Sequence, residues 1–227
     1  MILPDIIVNL KLYREAVGQR AVQIARLAEE VGKETGVAFG IAPSLMDAWA
    51  VAREVDIPVF AQHVDPVEPG AKTGHVSPRL LREYGLKGSL INHSERRMRL
   101  ADVRAAVQML RGDGLASIVC AGDPEESLAA AALRPTAVAF EPPELIGTGI
   151  SVSKARPEAV TRTVNAIRSK FEDVAVICGA GVSTGEDVRR AFELGVDAVL
   201  LASAVAKAPR PREKLLELAK GALAPED

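Results

Sequence analysis

Apolar positions along the chain fall into one recurring unit. A short β-branched or small apolar run is followed by a turn cluster, and then by a longer stretch with apolar residues at helical spacing. The first run is Ile6-Ile7-Val8-Asn9. The stretch after it predicts a helix over 15–35, with Val17, Ala21, Ile24, Ala25, Leu27, Ala28 and Val31 on one stripe and Gly36 at the C-cap. The second run is 37–42, with a helix opening at Pro43-Ser44. The third is 58–62, followed by a long loop to Ser77-Pro78 and a short helix ending near Tyr84. The fourth, 89–92, precedes a helix by 102–110, and the fifth, 116–120, precedes one opening at Asp123-Pro124-Glu125. The sixth, 137–141, leads through a Pro/Gly-rich loop to a helix over 157–170. The seventh, 175–178, precedes a helix opening at Ser183 or Thr184, and the eighth, 198–201, precedes a last helix over 211–222.

These are eight βα units, each long enough for the helical crossover that parallel strands require. Near-continuous apolar strands are covered on both faces. No linker or composition shift divides the chain. The pattern predicts a single-domain α/β protein over 1–227, a (β/α)8 barrel that is compact against the usual ~250 residues. The alternative is a doubly wound sheet, which uses fewer strands and does not call for eight units so evenly spaced.

Composition removes other classes. The chain has 227 residues, 48% hydrophobic and 26% charged, which is ordinary globular usage and excludes a disordered or collagen-like protein. Lys and Arg number 28 against 30 Asp and Glu, a net charge of −2. That balance offers nucleic acid or an anionic membrane no general attraction, so any anion is held by a local site. Aromatics at 4% leave few platforms for stacking bases. Cys120 and Cys178 are too few for a disulfide framework, and each closes an apolar run, so both are expected as buried free thiols. The first nine residues lack the pattern of a secretory signal, and the apolar run near 198–206 is far short of the roughly 18 to 20 residues of a membrane span. The expected compartment is the cytoplasm.

In such a barrel the chemistry gathers at the C-terminal ends of the strands. The polar residues there are Asn9 and Lys11, then Gln62 and His63, then Asn92-His93-Ser94-Glu95, then Glu141. Gly179-Ala180-Gly181-Val182-Ser183 and Ala202-Ser203 supply two small-residue turns. Asn9 and Lys11 lie two apart, so an extended segment sends both to one face, where the lysine is a point charge for an anion; the alternative is a lysine turned to solvent. Ser94-Glu95 reads as a helix start, which puts His93 at the positive end of a helix and keeps its ring neutral; the alternative is a histidine that caps a turn. Glu95 is placed to pair with Lys11 across the mouth; the alternative is a solvated charge run over Glu95-Arg96-Arg97. Glu141 follows an apolar strand, so partial burial makes it a better base near neutral pH. Pro142-Pro143 stiffen one end of the next loop and Gly147-Thr148-Gly149 free the other, as suits a lid; a plain connection is the alternative. Glu144 within it is expected to be exposed. The turns after strands seven and eight are the usual phosphate site of these barrels. His63 and His75 have no second ligand at metal spacing, so no metal is expected, and Met46 and Trp49 are expected to pack.

The stretches Asn9-Leu10-Lys11, Asn92-His93-Ser94-Glu95-Arg96-Arg97 and Glu141-Pro142-Pro143-Glu144-Leu145-Ile146-Gly147-Thr148-Gly149 resemble the triosephosphate isomerase family, in its shortened archaeal form. They occur in that family's order, and the match spans the whole chain. The turns after strands seven and eight depart from the bacterial and eukaryotic pattern, which has Tyr-Gly-Gly-Ser and Gly-Gly. The resemblance implies interconversion of dihydroxyacetone phosphate and glyceraldehyde 3-phosphate without metal or cofactor. It implies Glu141 as base, His93 as the group that polarises the carbonyl, and Lys11 as the charge on the enediolate, with Asn9 beside it. It also implies backbone N–H groups near Ile146, Gly181, Ala202 and Ser203 on the phosphate, and a lid over 142–151. The family is a standard example of tuned acid–base pairs and closing loops, and these roles are inherited from it. A homo-oligomer, tetramer before dimer, is implied as well, with the loop over 63–77 and Thr73 near its tip inserted into a neighbour. Two alternatives stay open: another phosphate-binding barrel enzyme, and a catalytically silent barrel.

Overall fold

A computed structural model describes residues 3–223. The strands are β1 (Ile6–Asn9), β2 (Phe39–Ala42), β3 (Phe60–Ala61), β4 (Gly88–Ile91), β5 (Ala116–Ala121), β6 (Ala137–Phe140), β7 (Ala175–Cys178) and β8 (Ala198–Leu201). They pair in parallel in the order β2-β1-β8-β7-β6-β5-β4-β3. A parallel bridge between Ile41 and Val59 joins the two outer strands, and the Ile41 N–H donates to the Pro58 carbonyl at 2.9 Å. The sheet therefore closes into a single-domain (β/α)8 barrel, and closure excludes the doubly wound alternative. The expected extent of 1–227 includes residues 1–2 and 224–227, which lie outside the described residues.

Side chains alternate across each strand. Ile7, Phe60, Leu90, Ile118, Cys120, Ala139, Ile177 and Leu200 form one buried cluster, the filling of the barrel. Ile6, Val8, Ile41, Ile91, Val119, Val138, Val176 and Val199 belong to a second, larger cluster between strands and helices. Small alanines among the larger residues let the inner layers interdigitate. Carried one step further, the same parity sends Asn9, Gln62, Glu141, Gly179 and Ala202 toward the mouth.

The helices are α1 (Gln19–Thr35), α2 (Ala48–Ala52), α3 (Leu100–Gly112), α4 (Pro124–Ala131), α5 (Val152–Ala155), α6 (Pro157–Arg168), α7 (Gly185–Glu193), α8 (Ser203–Ala206) and α9 (Pro211–Ala222). Their ends follow local chemistry. Asp123 caps α4 by accepting the Glu126 N–H at 2.6 Å, and Thr184 with Asp187 forms a capping box on α7. Gly36 closes α1 in the left-handed conformation, at φ 78°.

Three helix expectations away from the mouth need correction. The first helix begins at Gln19, not at 15, because Val17 is extended and Gly18 sits at φ 62°; Val17 is consequently exposed and off the stripe. The helix expected at Pro43-Ser44 begins only at Ala48, after a turn. Between β3 and β4 there is a 3-10 turn, Pro78–Leu80, and further turns to Gly85 in place of a short helix. Proline and glycine at either end leave too few residues between them for a helical nucleus.

Candidate active site

At the end of β1 the chain turns sharply, with Lys11 at φ 49°, a conformation that is costly for a residue with a side chain. Neighbouring groups over-determine it. The Lys11 N–H donates to Asn9 Oδ1 at 2.9 Å. Gln62 Nε2 donates to Asn9 Oδ1, to the Lys11 carbonyl and to the Ala42 carbonyl at 3.3, 3.1 and 3.0 Å. One amide from β3 thus stitches the ends of β1 and β2. The Lys11 ammonium is held over the mouth by Glu95 Oε1 at 2.8 Å, the pair expected from the sequence.

His93 reaches the mouth by a different route. Leu90 faces the barrel interior, so strict alternation would send Asn92 inward. Asn92 instead adopts φ 61° and breaks the alternation. Its Oδ1 accepts the Met98 N–H at 2.9 Å, and its Nδ2 donates to the Cys120 carbonyl at 3.1 Å. The segment after His93 is therefore a turn, with the Arg96 N–H on the His93 carbonyl at 2.8 Å, and α3 starts only at Leu100. The helix start expected at Ser94 is absent, and with it the dipole argument for a neutral ring. What fixes the ring instead is a single backbone group: the Glu95 N–H donates to His93 Nδ1 at 3.2 Å. An accepting Nδ1 carries no proton, so the ring's hydrogen sits on Nε2. That atom faces Glu141 Oε2 at 3.7 Å.

Glu141 is 4% exposed, and its Oε2 has no hydrogen-bond partner. Its carboxyl group lies against Gly179: a Cβ built there would stand 2.9 Å from both Cδ and Oε1. Ile177 occupies the barrel interior, so position 179 would project a side chain into the mouth, and its lack of one makes the space that the carboxyl fills. Cys120, the inward residue of β5, lies close to the same carboxylate. Burial, with the charge of Glu141, pushes that thiol well above its ordinary range, so it stays protonated. For Glu141, burial pushes the pKa above the usual glutamate value. The Lys11 ammonium draws it back in part, and Glu95 adds to the rise.

The loop after Glu141 is knitted by its own turns. Leu145 and Ile146 donate to the carbonyls of Pro142 and Pro143 at 3.0 and 3.2 Å, and Thr148 Oγ1 donates to the Leu145 carbonyl at 2.9 Å. Gly147 and Gly149 take φ 76° and 74°, the freedom expected of them. Exposed Glu144 pairs with Arg156 at 2.7 Å, joining the leading end of the loop to the chain beyond α5.

One cleft is lined by Asn9, Lys11, His93, Glu141, Ile146, Gly181, Ala202 and Ser203, with Gly179 among them. The structure therefore brings the sequence-predicted positions together. Glu95 borders the adjoining groove, which shares Asn9, Lys11 and His93. Ile146 differs from expectation in one respect: its N–H is already donated to Pro143. Among the described residues the N–H groups of Gly181 and Ser203 have no hydrogen-bond partner. Sequence reasoning placed Gln62 and Asn92 among the polar residues at the strand ends without giving either a role, expected Cys120 only as a buried thiol, and read Gly179 only as part of an anion-binding turn. The period of two along β3, β5 and β7 was a usable signal for Gln62, Cys120 and Gly179. Nothing local announces the left-handed turn at Asn92. Met46 and Trp49 were expected to pack, yet they are 93% and 52% exposed: Met46 lies in the turn before α2, and the inward positions of that short helix are taken by Ala48 and Val51.

Comparison with known proteins gives a concordant result. Residues 4–221 match the family model of triosephosphate isomerase. The triosephosphate isomerase of Methanocaldococcus jannaschii is 49% identical over 215 residues, covering 95% of this chain and 98% of the relative. That of Methanopyrus kandleri is 52% identical over 221 residues, covering 96% and 98%. That of Pyrobaculum calidifontis is 53% identical over 220 residues, covering 97% and 96%.

Proposed function

The chain belongs to the triosephosphate isomerase family, and on that premise we propose how its residues divide the reaction. The protein interconverts dihydroxyacetone phosphate and D-glyceraldehyde 3-phosphate, the aldose–ketose isomerisation of glycolysis. Glu141 takes a proton from the carbon beside the carbonyl, and the electron pair of that C–H bond moves to form the enediolate. His93 donates its Nε2 hydrogen toward the carbonyl oxygen as charge develops there, then passes protons between the two oxygens. Lys11, fixed by Glu95 and Asn9, stabilises the substrate charge and the enediolate. Returning the proton from Glu141 to the neighbouring carbon completes the exchange.

The observation that carries this division is the pairing of an unpartnered, buried carboxylate oxygen with the protonated nitrogen of a fixed imidazole at 3.7 Å, under a lysine, in one cleft. A carboxylate poorly solvated in this way is a stronger base than one in water. The open N–H groups of Gly181 and Ser203, with Ala202, support a phosphate cradle after β7 and β8. Internal bonding of the loop over 142–151 supports a lid that moves as one piece and keeps water from the enediolate.

Replacing Glu141 with Asp tests the assignment. Withdrawing the carboxylate by one methylene should lower kcat by about 10² to 10⁴ while circular dichroism stays unchanged, since a positioned base contributes about that much. A Glu141→Ala protein with full activity in a substrate-saturated coupled assay would end it.

We further infer a homo-oligomer, tetramer before dimer as the family resemblance implies. Met46, Trp49 and Tyr84 stand exposed around a hollow beside the loop over 63–77, and such a patch fits an interface. The base of that loop is stiff: Asp65 accepts the Val76 N–H at 2.8 Å and contacts His63 Nε2 at 3.0 Å. Its tip carries Thr73, and the family resemblance implies that it inserts into a neighbouring copy. Among the described residues no helix is long and apolar enough to cross a membrane. Two buried thiols without a disulfide support a reducing cytoplasm as the compartment.

A further inference from the structure

We propose that Asp187 and Lys154 form a positioning pair that ties the trailing hinge of the lid to the turn after β7, so that phosphate binding and lid closure act as one event. The inference rests on reading the turns at 181–183 and 202–203 as the phosphate cradle. Asp187 opens α7 and is 2% exposed. Its carboxylate serves two masters. Oδ2 accepts the Ser183 N–H, the Ser183 hydroxyl and the Thr184 N–H at 3.0, 3.1 and 3.0 Å. Oδ1 meets Lys154 Nζ at 2.7 Å, and Lys154 lies on α5, the short helix directly after the lid. The Asp187 carbonyl also accepts the Ser153 hydroxyl at 3.3 Å, and Ser153 bonds Ser151 at 2.7 Å.

The two elements meet elsewhere as well. The Val152 N–H donates to the Ala180 carbonyl at 3.0 Å. Gly181, at φ 70°, lets the backbone at Ile150 and Ser151 cross so closely that an added Cβ would stand 2.9 Å from the Ser151 nitrogen. An aspartate that merely capped α7 would need the Ser183 and Thr184 contacts and no lysine from another element. Burial would raise the Asp187 pKa, yet Lys154 and the Ser183 and Thr184 donors hold it below the usual aspartate value, so the carboxylate is charged when the tie is made. Lys154 is half-exposed, so it can be replaced without opening the core.

The test compares kcat/KM for D-glyceraldehyde 3-phosphate with that for D-glyceraldehyde, which lacks the phosphate, by proton exchange in D2O. Lys154→Met should lower the preference for the phosphorylated substrate by about tenfold to a hundredfold, the scale on which a displaced positioning element acts. Lys154→Arg should keep it. Lys154→Met added to Asp187→Asn should cost little beyond Asp187→Asn alone, because the second change breaks a contact already lost. Equal losses on both substrates, no loss on either, or full additivity would overturn the tie. Ser203→Asp, read by inorganic phosphate as a competitive inhibitor, tests the cradle separately. If phosphate inhibits it as well as the parent, the cradle reading fails. If phosphate binding weakens there while Lys154→Met leaves the preference intact, the cradle stands and the tie falls.

Discussion

A carboxylate whose second oxygen is buried without a partner ionises reluctantly, and Glu141 is such a group. The acid limb of kcat/KM should therefore turn at a pH above the ordinary glutamate value of 4.5. Activity falls as pH drops through that point, because the base must be ionised. Stability runs the other way. A pKa raised by folding stabilises the native state fully below the unfolded value, and this contribution is lost as pH rises through the folded value. Glu141→Gln should thus melt higher than the parent at alkaline pH, and the gap should close on acidification. A pH–rate profile beside melting curves checks both, and an acid limb at or below 4.5 would contradict the burial argument. Asn92 and Lys11 show the same opposition in the backbone: both hold left-handed conformations beside the chemistry, each secured by several hydrogen bonds.

At the level of elements, the decisive fit is between the ends of β6 and β7. Parity brings Glu141 and position 179 to the same mouth, and only a missing side chain leaves room for the carboxyl. Gly179 has no left-handed φ to satisfy, so Gly179→Ala changes space and little else. Its methyl should drive Glu141 off His93 and lower kcat by about a hundredfold, as a displacement of roughly 1 Å can do, while leaving the melting temperature near the parent's. Unchanged kcat would mean that the carboxyl works from another position. The lid has comparable logic. In the loop over 142–151, proposed above as that lid, Thr148 Oγ1 bonds the Leu145 carbonyl and Glu144 pairs with Arg156 beyond α5.

For the whole molecule, the barrel is encircled by charge pairs that cross from one unit to the next, among them Arg168–Asp197, Arg212–Glu34 and Arg79–Asp113. Exposed pairs contribute little singly. The larger question is what covers Met46, Trp49 and Tyr84. If a second copy does, Trp49→Arg with Met46→Glu should sediment as a smaller species. Its activity should fall by about tenfold or more, as the catalytic mouth loses its neighbouring loop. A fully active monomer would contradict the oligomer.

Local patterns were enough for the strands and the eightfold repeat, because apolar period and turn chemistry act over a few residues. Ile6–Asn9, Ala175–Cys178 and Ala198–Leu201 match in full or nearly so for that reason. Lys11, His93 and Glu141 were singled out by their places at strand ends together with the family resemblance, and the structure gathers them in one cleft. Tertiary contact alone decided how they are held: the Glu95 N–H on His93 in place of a helix dipole, the cavity at Gly179, the three carbonyl and amide partners of Gln62, and the exposure of Trp49. Each depends on the distance between atoms that are far apart along the chain, and such distances exist only once the barrel has closed.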